Sequence, residues 1–196
     1  MIGYDPGVRG RVSTESSVTT VERLESVGVA TRRVAPSAVP DAVAAAIEPP
    51  AVGVSFADGE AGFSTDEAGF SMKDAALADA GVTVDPTGTQ LDAARTGVTP
   101  ASLCVADYGT VVLPARSDGS ELVSLFVDRH VVVLRERDVV PDMETAFERF
   151  GSGLENASES RILATGPSAT ADMGELVVGA HGPESVIAIV VTGADA

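Results

Sequence analysis

The chain has 196 residues, 44% of them hydrophobic, and carries 29 acidic against 13 basic residues for a formal net charge of -16. That length builds one substantial core, and the charge excludes a phosphate-backbone binder, because such binding works by Lys and Arg displacing counterions; neither DNA nor RNA is an expected partner. The apolar runs, such as Val186 to Val191, fall far short of the roughly 20 residues of a membrane helix, and nothing after Met1 has the apolar centre of a signal peptide, so no membrane insertion and a cytoplasmic location are expected.

The basic residues are skewed in kind: Lys73 is the only lysine. Excess acid with almost no lysine and little aromatic surface is the composition of a halophilic protein. In molar salt the Debye length falls to roughly 3 Å and acidic self-repulsion is screened. Cys104 is the only cysteine, which excludes an internal disulfide and an iron-sulfur cluster held by this chain alone. His130 and His181 are the only histidines, too few for a transition-metal site, and no metal is expected.

In chain order, residues 1–17 show neither helical nor strand period and read as disordered; Val12, opening VSTESS, is a candidate true start. Residues 18–196 form the single domain. Val18, Val21 and Leu24 recur at helical spacing. Val27 to Val34 reads as a strand, SAVPDAVAAAI with Pro40 near its start as a helix, and Ala51 to Phe56 as a strand. This alternation predicts an α/β fold, an open mixed or parallel sheet flanked by helices.

Asp58 to Gly69 is a solvated acidic loop without the ligand spacing of an EF-hand. Ser71 caps a helix over Met72 to Ala80, and Gly81 ends it. Ala101 to Ala106 and Thr110 to Leu113 read as strands joined by Asp107-Tyr108-Gly109, where Asp107 either binds a substrate hydroxyl or caps its own backbone. Cys104, inside an apolar run, reads as a small buried hydrophobe. Glu121 to Val127 has no clear assignment. His130 to Arg135 is a strand, with His130 as a strand-end residue bonded to backbone. Pro141 opens a helix with Met143, Ala146, Phe147 and Phe150 on its core face, and Gly151 to Ser160 is a linker.

The stretch from Arg161 to Val191 gathers the polar chemistry. A strand runs into Thr165-Gly166-Pro167-Ser168-Ala169-Thr170-Ala171-Asp172, where glycine admits close backbone approach and successive amides beside hydroxyls suit an anion. Anion binding and a plain capped turn stand as equal readings. One helical turn would put Ser168 and Asp172 on the same face. Asp172 and His181 form an acid-base pair if the fold joins them. The G-x-S-x-G elbow of a serine hydrolase is absent, as are the Walker and dinucleotide glycine patterns.

TGPSATAD followed by VVGAHGPESVIAIVV resembles the C-terminal signature of the LUD-domain family, of the lactate-utilisation protein C type, and GVTPASLCVADYGTVVL and LVSLFVDRHVVVLRERDVVPDM resemble the preceding blocks. The likeness spans about Gly97 to Thr192. It implies an α/β fold related to the ribose-phosphate isomerase, glucosamine-phosphate deaminase and CoA-transferase group. It also implies a non-redox subunit in L-lactate oxidation to pyruvate, binding a small carboxylate, with iron-sulfur clusters on partner subunits and no cofactor in this chain. By carry-over, Asp107, Asp172 and His181 are the catalytic candidates, and Gly109, Thr110, Gly166, Pro167, Ser168, Thr170, Gly182 and Pro183 the ligand-binding ones. Two departures stand out: Asp107-Tyr108-Gly109-Thr110 replaces the usual Glu-Thr-Gly-Thr, and Ala169 replaces a usually basic residue. A stand-alone enzyme on a phosphorylated or CoA-linked substrate and a purely structural module are the alternatives.

If the acidic surface is a salt adaptation, the fold loosens when salt is withdrawn. Circular dichroism is expected to lose helical and strand signal on dialysis from molar salt to ~10 mM; an unchanged spectrum would rule the adaptation out.

Overall fold

The computed structural model describes residues 21–56, 73–114, 119–154, 161–172 and 175–193. The expectations for residues 1–17, for the acidic loop from Asp58 to Gly69 and for the Ser71 cap lie outside these residues. In chain order the elements are α1 (21–26), β1 (Val29–Val34), α2 (Val39–Ala44), β2 (Ala51–Gly53), α3 (Asp74–Asp79), β3 (Val82–Val84) and α4 (Gly88–Asp92). There follow β4 (Thr96–Pro100), β5 (Leu103–Val105), β6 (Thr110–Pro114), α5 (Ser120–Leu125), β7 (Arg129–Arg135), β8 (Val139–Val140) and α6 (Met143–Leu154). The chain ends in β9 (Arg161–Thr165), β10 (Ala169–Asp172), β11 (Glu175–Val178) and β12 (Ser185–Val191).

Six strands make one all-parallel sheet in the order β1-β12-β7-β4-β2-β3. A parallel sheet is covered on both faces, so its central strands are continuously apolar. HVVVLR and SVIAIVV meet that demand, and their alternate residues divide between two cores. Val131, Val133, Ile189 and Val191 face α2 and α3 through Val39, Val43 and Leu77. Val132, Leu134, Ala188 and Val190 face the opposite way, onto Leu24, Cys104, Val111 and Leu113.

That second core is a layer between sheets. A four-stranded mixed sheet, β8-β5-β6-β9, packs across this face of the parallel one. Its far side is closed by α6, where Ala146 and Phe150 pack on Leu103, Val105 and Val112. The architecture is therefore helix, sheet, sheet, helix: an α/β fold as the alternation predicts, with a second sheet that alternation does not reveal. No helix among the described residues is long and apolar enough to cross a membrane.

Several local expectations change. The strand read over Ala101 to Ala106 is the shorter β5, Leu103–Val105, and a strand that the reading did not separate, β4, precedes it: β4 ends at Pro100, the Ala101 amide donates to Val133 O at 2.9 Å, and the chain then crosses into the second sheet. The first strand starts at Val29, because Val27 and Gly28 turn out of α1. The unassigned segment from Glu121 is α5, a short helix whose Val123 packs on Val52 and Val54. On α6, capped by Asp142 Oδ1 accepting from the Thr145 amide at 2.8 Å, Phe147 is 56% exposed and leaves the core face to Ala146 and Phe150. The helical turn expected to align Ser168 with Asp172 is extended instead: Ala169 to Asp172 pair antiparallel with Glu175 to Val178 as a two-stranded hairpin.

Gly97 shows how closely α5 lies on the sheet. A Cβ there would stand 2.1 Å from Val123 O, a backbone atom that cannot swing aside. Gly97→Ala is expected to lower folding stability by roughly 2 kcal/mol or more through forced displacement of α5. Denaturant midpoints of the two proteins in high salt test this; equal midpoints would mean that α5 is free to move.

Candidate functional site

The layer between the two sheets opens at the amino ends of β1, β7 and β12. Open α/β sheets usually receive ligands at the carboxyl ends of their strands. Here the second sheet reverses the arrangement, because β9 delivers its carboxyl-terminal turn to the amino end of the parallel strands. The opening is a cleft of about 440 Å³. Val29, His130 and Val186 line it from the parallel sheet, Val111, Ile162 and Ala164 from the second sheet, and Ser124 and Leu125 from α5.

Its rim is built by turns that pack on one another. Gly166 has φ +66, and a Cβ on it would lie 2.3 Å from Val27 O, so glycine is required there on both counts. Gly109, at φ +61, makes the same close approach from the other side, its notional Cβ 2.9 Å from both Arg23 O and Val27 Cγ2. The α1–β1 turn is thus held between two glycine turns from different strands. The Thr110 and Thr165 hydroxyls, directly opposed across β6 and β9, share a hydrogen bond of 2.6 Å. The Ser168 amide donates to Pro183 O at 2.9 Å, and a Cβ on Gly182 would lie 3.1 Å from that of Ser168.

The residues singled out from sequence therefore separate into two groups. Gly109, Gly166, Pro167, Ser168, His181, Gly182 and Pro183 all line the cleft, and Thr110 braces it through Thr165. Asp107 and Asp172 are placed elsewhere. Asp107 is exposed on the turn Ala106–Tyr108, its amide donating to Pro141 O at 3.0 Å. Asp172 sits opposite Glu175 at the far end of the hairpin. Its backbone is three residues, about 10 Å of extended strand, beyond the cleft-lining Ala169. Thr170, opposite Val177, is on that hairpin too. Of the three residues to which the resemblance gives a catalytic part, only His181 lines the cleft.

His130, expected as a strand-end residue bonded to backbone, belongs to the cleft instead. As the second residue of β7 it shares the parity of Val132 and Leu134, so it faces the layer between the sheets at the point where that layer opens. It is 2% exposed, and its Nε2 lies 2.7 Å from the Thr99 hydroxyl rather than against backbone. Burial drives its pKa down from 6.5 to about 4, so the ring is neutral near pH 7. The signal available in the sequence was register alone: a histidine two places from a buried valine on an interior strand.

Among the described residues the cleft lining contains two imidazoles and several hydroxyls and no Asp, Glu, Lys or Arg. Alanine at 169 adds no charge. Cys104 is buried in the layer, where desolvation raises its thiol to about 12, so it is an inert packing residue. No group of three or more His, Cys, Asp or Glu among the described residues is arranged to hold a metal ion.

A sequence model of the LUD domain matches residues 20–191. The chain belongs to the LUD-domain family. This LUD domain is similar to proteins named lactate utilization protein C: 33% identical over 104 residues to one from Macrococcus caseolyticus, covering 51% of this chain and 45% of that protein. It is 31% identical over 105 residues to one from Bacillus subtilis, 52% of this chain and 44% of that protein. To one from Bacillus licheniformis it is 35% identical over 104 residues, 51% of this chain and 43% of that protein. Each match thus spans a little under half of the relative. The crystal structure of a DUF162 family protein from Deinococcus radiodurans superposes with a TM-score of 0.62 at 22% identity, over 90% of this chain and 96% of that one, and bears on the fold alone.

The buried imidazole makes this LUD domain acid-sensitive in a defined window. Because its folded pKa is depressed, the folded state binds fewer protons than the unfolded state, and the stabilisation is complete above pH 6.5 and lost as pH falls toward 4. Between pH 7 and pH 5 the loss is roughly 2 kcal/mol. Chemical denaturation at both pH values in constant salt is expected to show this component in the wild type and its absence in His130→Gln. The same pH dependence in both would assign it to other groups.

Proposed function

We propose that this LUD domain serves lactate utilisation as a non-redox subunit that binds a small 2-oxygenated carboxylate in the cleft between its sheets. The observation that carries the reading is the direct packing of the turns Thr165 to Ser168 and His181 to Pro183 around one opening, with Ser168 and His181 both on its lining. Hydroxyl and imidazole groups at an exposed rim suit a carboxylate, and the apolar floor of Val29, Val111 and Val186 suits a short carbon skeleton. The names of the similar proteins point the same way.

Oxidation of a 2-hydroxy acid to a 2-oxo acid releases two electrons. A chain whose only cysteine is Cys104 lacks the thiolates for a cluster of its own, so the electrons pass to partner subunits carrying iron-sulfur clusters. The hydroxyl-lined cleft, without Lys or Arg among the described residues, is a poorer match to a sugar phosphate or CoA, whose phosphates favour charged forks.

Titration calorimetry in high salt tests the reading with four ligands: lactate, pyruvate, a sugar phosphate and CoA. Lactate or pyruvate is expected to bind, and Ser168→Ala to weaken that binding by about fivefold to tenfold through loss of a rim hydrogen bond. Binding of the sugar phosphate or CoA alone would replace the proposal with a stand-alone enzyme on such substrates. Silence with all four would reduce the domain to a structural module.

A further inference from the structure

The floor of the cleft carries a polar group that the rim chemistry does not use. His130 is almost wholly enclosed, between strands that pair it with Gly97 on one side and Val186 on the other, yet it is one of the residues lining the cleft. One ring nitrogen is accounted for: Nε2 meets Thr99 Oγ1 at 2.7 Å. Nδ1 has no hydrogen-bond partner among the described residues. That atom is not one of the enclosed unpaired atoms of the described residues, so it keeps contact with open space, and an unpaired ring nitrogen at the edge of a cleft is where a ligand atom belongs.

Which kind of atom follows from Thr99. Its side chain is completely buried, and its hydroxyl makes one hydrogen bond among the described residues, the one to His130. A hydroxyl has a single proton to donate, and the enclosed Thr99 O–H has no acceptor other than Nε2 among the described residues, whereas an Nδ1–H keeps contact with open space where water or a ligand can accept from it. The Thr99 hydroxyl therefore donates to Nε2. In a neutral imidazole one nitrogen accepts and the other carries the proton, so Nδ1 is the N–H donor.

We infer that His130 is a ligand-binding residue of the cleft, held by Thr99 as the Nδ1–H tautomer and donating that hydrogen bond to the C2 oxygen of the bound acid. The inference rests on the small-carboxylate reading and adds to it an orientation. A carboxylate is far more expensive to bury than a carbonyl or hydroxyl oxygen, so it stays at the exposed rim with Ser168 and His181. The less costly C2 oxygen goes to the floor, beside a donor that stays uncharged. The same tautomer excludes His130 as the base in oxidation of a 2-hydroxy acid, since Nε2 is occupied by Thr99 and Nδ1 already holds its proton. It binds and orients; it does not take the proton.

The test has one part that needs no ligand. Nitrogen-15 NMR of the histidine-labelled free protein near neutral pH is expected to show His130 protonated at Nδ1, and Thr99→Val to shift it toward the Nε2-protonated form. A wild-type ring protonated at Nε2 would overturn the donor assignment. The second part compares pyruvate with propionate, which lacks the C2 oxygen, by calorimetry in high salt. His130→Gln retains a group at the Nε2 position and loses the Nδ1 donor; His130→Asn places an amide N–H near the Nδ1 position. The preference of the wild type for pyruvate over propionate is expected to fall about tenfold in His130→Gln and to recover in part in His130→Asn, with circular dichroism unchanged in both. An unaltered preference in His130→Gln overturns the role of His130 while leaving the carboxylate reading in place. Failure of the wild type to bind either acid overturns that reading, and the ligand role with it.

Discussion

The apolar layer between the two sheets is the constraint from which the rest follows. Alternate residues of β7 and β12 must meet alternate residues of β5 and β6, and Val132, Leu134, Ala188 and Val190 do so against Cys104, Val111 and Leu113. A layer of this kind closes wherever both sheets continue and opens where one turns away. At the amino ends of β7 and β12 the next residues of the same parity are His130 and Val186, and the opposing strand β9 has already reached its turn at Thr165. The cleft is the unfilled end of a packed layer, which gives it an apolar floor and a polar rim without further apparatus.

Glycine placement keeps that end open in a fixed shape. Gly166 and Gly109 let two turns come within contact distance of the backbone at Val27, and Gly182 lets a third lie against Ser168. Any side chain at these points would push the turns apart. The glycines thus act on function through geometry, by setting the spacing between hydroxyl and imidazole groups that belong to strands distant in sequence. The electrostatics agree with this arrangement: the many acids of the chain are kept out of the cleft lining among the described residues, and the one deeply placed titratable group there is held neutral by burial.

The site was legible in sequence as motif and illegible as arrangement. Thr165 to Ser168 and His181 to Pro183 stand out because glycine-proline turns between apolar runs have few structural uses, and both prove to be neighbours. Asp172 stood out for its spacing from Ser168, which carries meaning only on a helix; in the hairpin the same four-residue spacing carries it along the strand and out of the cleft. His130 was hidden for the opposite reason. Its importance comes from parity and depth, and a lone histidine before a valine run looks the same whether it meets backbone, solvent or a cavity.

By itself the sequence determined the class of fold, the central strands and the two turns, because these depend on local patterns: continuous apolar runs, helical spacing, and glycine where the backbone must bend sharply. It also determined the family. Only the tertiary structure decided that a second sheet packs across the parallel one, that the cleft lies at the amino ends of the parallel strands, that Asp107 and Asp172 stand apart from it, and that His130 sits at its floor beside Thr99. Those facts depend on which faces meet across long separations in the chain, and no local pattern encodes the partner that a buried face will find.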